Sequence, residues 1–291
     1  MTIRNPVEWG WAQLHDAALA VGEATRAVFS VQTRRETEPL AVRTIAIDDI
    51  KDALARGFDD FGAHRTDVIF LGVIYPVVGL LLARLAFGYD MLPMLFPLAS
   101  GFALIGPVAA VGLYEMSRRR AQGVAISWGD AFGVVRSPSF AGIAVLGLIL
   151  LAIFLAWILV ADLIYAATLG PAPPVSIGDF AHDVIATPAG WSMIVAGVGV
   201  GFVFAVTVLA ISVVSFPLLL DRDITLGAAV RTSIRATAAN PKAMALWGII
   251  VAGGLMLGSI PALVGLIIVM PVLGHATWHL YRKLVPIIPQ R

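Results

Sequence analysis

Residues 221–241 read DRDITLGAAVRTSIRATAANP, and this polar stretch between two long apolar runs decides how the chain is expected to fold. Thr225 stands where a helix N-cap belongs, because its hydroxyl can accept from a free amide of the first turn. Leu226, Val230 and Ile234 recur every four residues and predict one apolar face. Arg231 and Arg235 form a second i, i+4 row. The segment is therefore expected to lie along a membrane surface with its arginines at lipid phosphates. Asn240 and Pro241 then supply a cap and an N1 proline for a fresh helix that enters the bilayer.

Two other stretches echo this one. Asp49 to Leu54, Ser127 to Phe132 and Thr225 to Val230 share one pattern: a capping residue, an apolar residue, two variable residues, alanine and an apolar residue. Pro107, Pro217 and Pro271 each fall late in the second apolar segment after a copy. The pattern predicts a threefold repeat of surface helix plus transmembrane hairpin.

The composition is that of a membrane chain, with 59% hydrophobic and 13% charged residues among 291. The absence of cysteine excludes disulfides, thiolate metal sites and cysteine nucleophiles. The first long apolar run begins near Val68, so the first transmembrane helix, rather than a signal peptide, is the expected insertion signal.

An all-α polytopic bundle follows, with six transmembrane helices at about 67–87, 91–116, 138–169, 190–220, 242–258 and 261–281, each able to cross a hydrocarbon core of roughly 30 Å. Residues 1–35 read as an amphipathic N-terminal arm, opened by Asn5 and Pro6, with Val7, Trp11, Leu14, Ala18, Val21 and Val28 on one face. Residues 36–48 read as a linker, 49–285 as the membrane domain and 286–291 as a tail. The first surface helix places Ile50, Leu54, Phe58 and Phe61 on its apolar side, with Asp60 among the polar positions. The segment 170–188 is rich in proline and has no lysine or arginine. The final apolar run is divided at Ser259, Ile260 and Pro261; a single kinked helix is the alternative and would put the C-terminus outside.

With six spans, every one of the 20 lysines and arginines except Arg84 falls on the N-terminal side. The positive-inside rule then places both termini in the cytoplasm of a bacterial inner membrane.

Gly106 to Arg119 (GPVAAVGLYEMSRR) and Gly274 to Arg282 (GHATWHLYR) resemble signature stretches of an uncharacterised family of predicted bacterial integral membrane proteins, known as a domain of unknown function. Some members are loosely labelled cytochrome-oxidase-like. The resemblance runs over roughly residues 43–285. Ser215 to Asp221, followed by the segment Arg231 to Arg235, is also similar to a broader group of six-helix bacterial membrane proteins. The oxidase label implies several intramembrane haem and copper histidines. This chain has five histidines in all, mostly outside the expected spans, so no cofactor is expected.

The candidate chemistry is sparse. His275 and His279, at i, i+4, share a helix face and could hold a metal or an anionic head group, with His64 as the one plausible third ligand. The competing reading is interfacial hydrogen bonding beside Trp278 and Tyr281. Arg84 and Asp162 are ionisable groups toward the outer ends of expected spans; they could pair, or each could snorkel to the outer interface. Arg118, Arg119, Arg120, Arg231, Arg235, Trp128, Trp278 and Tyr281 are expected contacts for lipid head groups or a partner. No Walker loop, nucleophile elbow or zinc helix is present, and no basic aromatic platform points to nucleic acid.

The expected function is that of a non-catalytic accessory, scaffold or partner-binding membrane protein, with membrane lipids and another membrane complex as partners. The alternative is a transporter or channel built from three hairpin repeats.

Overall fold

The structure, a computed structural model, describes residues 40–63, 92–124, 133–135, 137–170, 176–261 and 263–286, with single positions at 77, 80, 84, 172 and 174. The N-terminal arm, the surface-helix copy at 127–132, most of the expected first span, and residues His64 and Trp128 lie outside the described residues. Ten helices and two 3-10 turns, at 92–94 and 133–135, are described, and no strand is among the described residues. The helices are α1 (Ile47–Ala63), α2 (Leu95–Ala109), α3 (Val111–Ala121), α4 (Phe140–Thr168), α5 (Ile177–Ala186), α6 (Pro188–Ser212), α7 (Ser215–Asp221), α8 (Leu226–Ala239), α9 (Pro241–Ser259) and α10 (Leu266–Leu284).

Among the described residues, three helical runs are long and apolar enough to cross a membrane: Phe140–Thr168, Pro188–Asp221 and Pro241–Ser259. At about 1.5 Å per residue, the 29 residues of α4 reach about 43 Å, beyond the roughly 30 Å hydrocarbon core. Asp162 is the one acidic or basic residue in α4, and α6 has none. Both helices are apolar all round, as a span must be.

Two of the expected spans are each divided into two helices. The run 188–221 breaks at Val213 and Val214, because Pro217 has no N–H to give the Val213 carbonyl. The amide of Val214 instead donates to Ser233 Oγ on α8 at 3.2 Å. The expected second span is likewise two helices, α2 and α3, joined at Ala110 three residues beyond Pro107 and between Gly106 and Gly112. Pro271 lies inside a continuous α10.

The final apolar run is two helices, which excludes the single kinked helix. The described residues of the reversal, 260, 261 and 263–265, make it wider than a turn at Pro261 alone. Leu263 takes a left-handed conformation at φ 68°, which costs about 1–2 kcal/mol for a residue with a Cβ. The turn closes because Gly258 and Gly265 touch backbone to backbone: a Cβ on Gly265 would stand 2.8 Å from Gly258 Cα.

Both described surface helices keep most of their expected apolar face on the core, with Leu226 and Ile50 buried and Val230, Leu54 and Phe61 packed partly against it, but the most buried stripe is turned toward small and polar residues. In α8 the Thr225 cap forms as expected, accepting from the Ala228 amide at 3.2 Å. The buried residues, however, are Leu226, Ala228, Ala229, Thr232, Ser233 and Ala236, while Ile234 is 44% exposed. In α1 the buried set is Ile50, Ala53, Gly57 and Asp60, and Phe58 is 57% exposed. Small residues let the helix backbones approach closely, and this contact outweighs burial of the longer side chains. Asp49 also does not cap α1. It sits in the first turn and its carboxylate accepts from the Ala46 amide at 2.9 Å, half of a capping box.

The described part of the linker, residues 40–46, is strapped to the bundle. The amide of Leu40 donates to Thr232 Oγ1 at 3.0 Å and that of Arg43 to the Leu284 carbonyl at 2.8 Å. Asn240 precedes α9 as expected but makes no side-chain cap. Its Oδ1 instead accepts from the Ile45 amide at 2.8 Å, and its Nδ2 donates to the carbonyls of Arg43 at 3.1 Å and Ala236 at 2.9 Å. Asn240→Ala leaves these buried backbone groups without partners and is expected to cost about 1–3 kcal/mol. Loss of hydrogen-exchange protection at the Ile45 amide is the measurement that checks it.

Candidate functional site

The densest polar cluster in the described residues forms where α1, α3 and α10 meet. It is centred on Asp60, only 6% exposed. Helical spacing brings its members there: Asp60 continues the buried stripe of Ala53 and Gly57, Ser117 and Arg120 lie one turn apart on α3, and His275 and His279 lie one turn apart on α10. The close approach of α1 to α10 at Gly57 and Ala276 drives the carboxylate between the helices.

Asp60 Oδ2 accepts from Ser117 Oγ at 2.5 Å and lies 3.0 Å from His279 Nε2, while Arg120 Nη1 donates to Oδ1 at 2.5 Å. Ser117 Oγ is also 2.8 Å from His275 Nδ1. A hydroxyl has one proton. Because Ser117 gives it to the carboxylate, the contact with His275 requires Nδ1–H to donate to Ser117. Burial pushes the Asp60 carboxyl up. Hydrogen bonds from His279 and Ser117, with the field of both imidazoles, more than offset this and hold it below the usual carboxylate range.

Three further polar groups involve the same helices. Glu115, 3% exposed, accepts from Arg118 Nε at 2.7 Å and Nη2 at 2.9 Å, and from Arg119 Nε at 2.7 Å. Asp221 Oδ2 accepts from the Tyr281 hydroxyl at 2.7 Å and from Arg282 Nη1 at 3.2 Å. Lys283 bridges Asp49 at 3.1 Å and Asp52 at 2.8 Å, pinning the start of α1 to the end of α10.

The arrangement disfavours nucleophilic catalysis. Ser117 is 1% exposed and gives its proton to a carboxylate, whereas an activated serine gives it to an imidazole that a carboxylate orients. No metal-binding group of three or more His, Cys, Asp or Glu forms among the described residues. His275 and His279 do share a face, and that face is turned onto Asp60 and Ser117.

The other expected contacts are distributed as follows. Arg118, Arg119 and Arg120 engage the chain's own carboxylates. Trp278 and Tyr281 are 1% and 0% exposed, ring to ring at 5.4 Å, so they face the protein interior and not lipid. Arg231 and Arg235 are exposed on α8. Arg84 and Asp162 are both exposed, with no ion pair between them. Reading by pattern missed Asp60, Ser117, Thr232, Ser233 and Asp221. The one available signal was the small-residue spacing of Ala53, Gly57 and Asp60, which continues the stripe begun by Ile50.

No curated protein and no solved structure matches the chain. Residues 95–221, from the start of α2 to the end of α7, match the family model described as Predicted integral membrane protein (DUF2189). This span contains the signature stretch Gly106 to Arg119 but not Gly274 to Arg282. With apolar runs long enough to cross a membrane on the same stretch, the match identifies the protein as an integral membrane protein carrying, at residues 95–221, the sequence of a family defined as a domain of unknown function.

Proposed function

We propose that the protein is a non-catalytic, six-span protein of the bacterial inner membrane, with both termini cytoplasmic, whose basic end is a docking platform for another membrane protein. One observation carries this reading. Among the described residues, most ionisable side chains lie on α1, α3, α7, α8 and the end of α10, and many of them pair with one another, while α4 and α6 contain no charged path. Such an end is rigid, and it presents Arg231 and Arg235 on the exposed side of α8. A threefold surface-helix repeat remains part of the proposal, with α1 and α8 as the first and third copies.

The test is affinity purification from native membranes in mild detergent, followed by intact-complex mass spectrometry. A stoichiometric second membrane protein, lost when Arg231 and Arg235 are both changed to glutamate, is the expected result. Recovery of the chain alone with bound lipid or a small molecule overturns the docking role. Reporter fusions at the two ends that respond from opposite sides of the membrane would overturn the even number of spans.

A transporter is the second reading, favoured by the helix breaks at Ala110 and at Val213 to Val214, since interrupted helices line many transport sites. Against it, the hydroxyls beside the second break are already bonded to backbone, Ser212 Oγ to the Val208 carbonyl within α6 at 2.6 Å and Ser215 Oγ, across the break, to that of Ile211 at 2.6 Å. Thermal stabilisation by a solute, abolished by Asp162→Asn or Arg84→Gln, would move this reading to the front.

A further inference from the structure

The segment 170–188, a proline-rich connection by its sequence, contains the helix α5, and its joints are built rather than loose. Gly170 closes α4 at φ 96°, a conformation that favours glycine. The Tyr165 hydroxyl donates to the Ala172 carbonyl at 2.7 Å, and Ser176 caps α5 by accepting from the Asp179 amide at 3.1 Å. Between α5 and α6 the Thr187 hydroxyl donates to the Asp183 carbonyl at 2.6 Å and accepts from the Gly190 amide at 3.0 Å. A Cβ on Gly190 would stand 2.2 Å from the Asp183 oxygen, so this elbow requires glycine. The angle at which α5 leaves α6 is therefore set.

At 100° per residue the apolar side chains of α5 cover a single arc. One half of it, Phe180 and Val184, is partly buried, with the Phe180 ring 6.4 Å from that of Tyr165. The other half is bare: Ile177 is 62% and Ile185 65% exposed. Beside it Trp191, 57% exposed, donates its indole N–H to the Ile185 carbonyl at 3.1 Å. Asp179, His182 and Asp183 take the opposite arc.

We propose that α5 is an interfacial helix, seated with Ile177 and Ile185 in the lipid surface at the end of the α4 and α6 pair remote from the arginine-rich end. The occupant is lipid because the bare arc continues, through Trp191, into the exposed Val195, Val198 and Phe202 of α6, a run long and apolar enough to cross a membrane. An exposed tryptophan at that junction is placed where indoles favour the head-group level. The segment has acidic residues and no lysine or arginine, so apolar burial and not attraction to anionic lipid holds it. This inference is independent of the docking role at the basic end.

The cysteine-free sequence provides the test directly. Nitroxide labels on Ile177→Cys, Ile185→Cys and His182→Cys are compared in phosphatidylcholine nanodiscs for collisional relaxation by oxygen, which concentrates in lipid, and by a nickel chelate, which stays in water. The expected ratio of oxygen to nickel effect is several-fold higher at Ile177 and Ile185 than at His182. Equal ratios at all three positions overturn the proposal. Shielding of position 185 from both reagents also overturns it, because protein and not lipid would then cover the face.

Discussion

Asp60→Asn is expected to destabilise the protein by about 3 kcal/mol, the lower end of the roughly 3–5 kcal/mol lost when one member of a buried ion pair is removed. Asparagine keeps the shape but not the charge that Arg120, Ser117 and His279 address, and its amide brings donors to a site already crowded with donors. The lower end applies because Arg120, with its side chain 38% exposed, can return to water, whereas Ser117 and His275 cannot. The converse change, Arg120→Ala, leaves a buried carboxylate with its serine and imidazole partners. A double-mutant cycle between the two positions should therefore show a coupling clearly different from zero.

The same carboxyl sets an acid limit. Its folded-state pKa is lowered, so its stabilisation is present above the ordinary aspartate value of 3.8 and is lost as pH falls through the lower folded value. Unfolding curves of the wild type should fall away below about pH 4, and those of Asp60→Asn should show less of this acid dependence. An Asp60→Asn protein as stable as wild type at neutral pH, with the same acid profile, would refute the central role given to this group.

Gly57→Val is expected to separate α1 from α10. A Cβ at Gly57 would lie 2.7 Å from Ala276 Cβ, 2.8 Å from the Ala276 amide nitrogen and 2.8 Å from the Val272 carbonyl oxygen. Two of these neighbours are helix backbone and cannot move aside as a side chain could. Overpacking typically costs about 1–3 kcal/mol, and the upper end is expected because the displaced helix also carries Asp60 away from its donors. The control lies five residues on: nothing stands within 4 Å of a Cβ at Gly62. Gly62→Ala should leave the packing intact and stabilise α1 by about 0.5–1 kcal/mol. Limited proteolysis and amide exchange across residues 47–63 distinguish the two, with faster cleavage expected only for Gly57→Val.

Several features of this architecture were legible along the chain. The apolar lengths of 138–169 and 190–220 require membrane-crossing helices, because no other use exists for such runs in a chain so poor in charge. The Thr225 cap and the reversal after Ser259 follow from local chemistry, in which a hydroxyl meets a free amide and a proline breaks a ladder. Periodicity was less informative for the surface helices. It marks large apolar residues, whereas α1 and α8 dock through alanine, glycine and hydroxyl side chains that a hydropathy pattern scores as neutral.

Sequence by itself determined that this is a helical membrane protein with long runs almost free of charge, since each of those properties is summed over neighbouring residues. Tertiary structure alone decided which polar groups are buried and with whom. Asp60 and His279 stand 219 positions apart, and Ile45 and Asn240 195 apart. Their partnership depends on a glycine allowing two helices to touch and on an asparagine turning from its own helix to a passing strap. Such pairings leave no periodic mark, because a polar residue has the same appearance in sequence whether its donors come from water or from a helix at the far end of the chain.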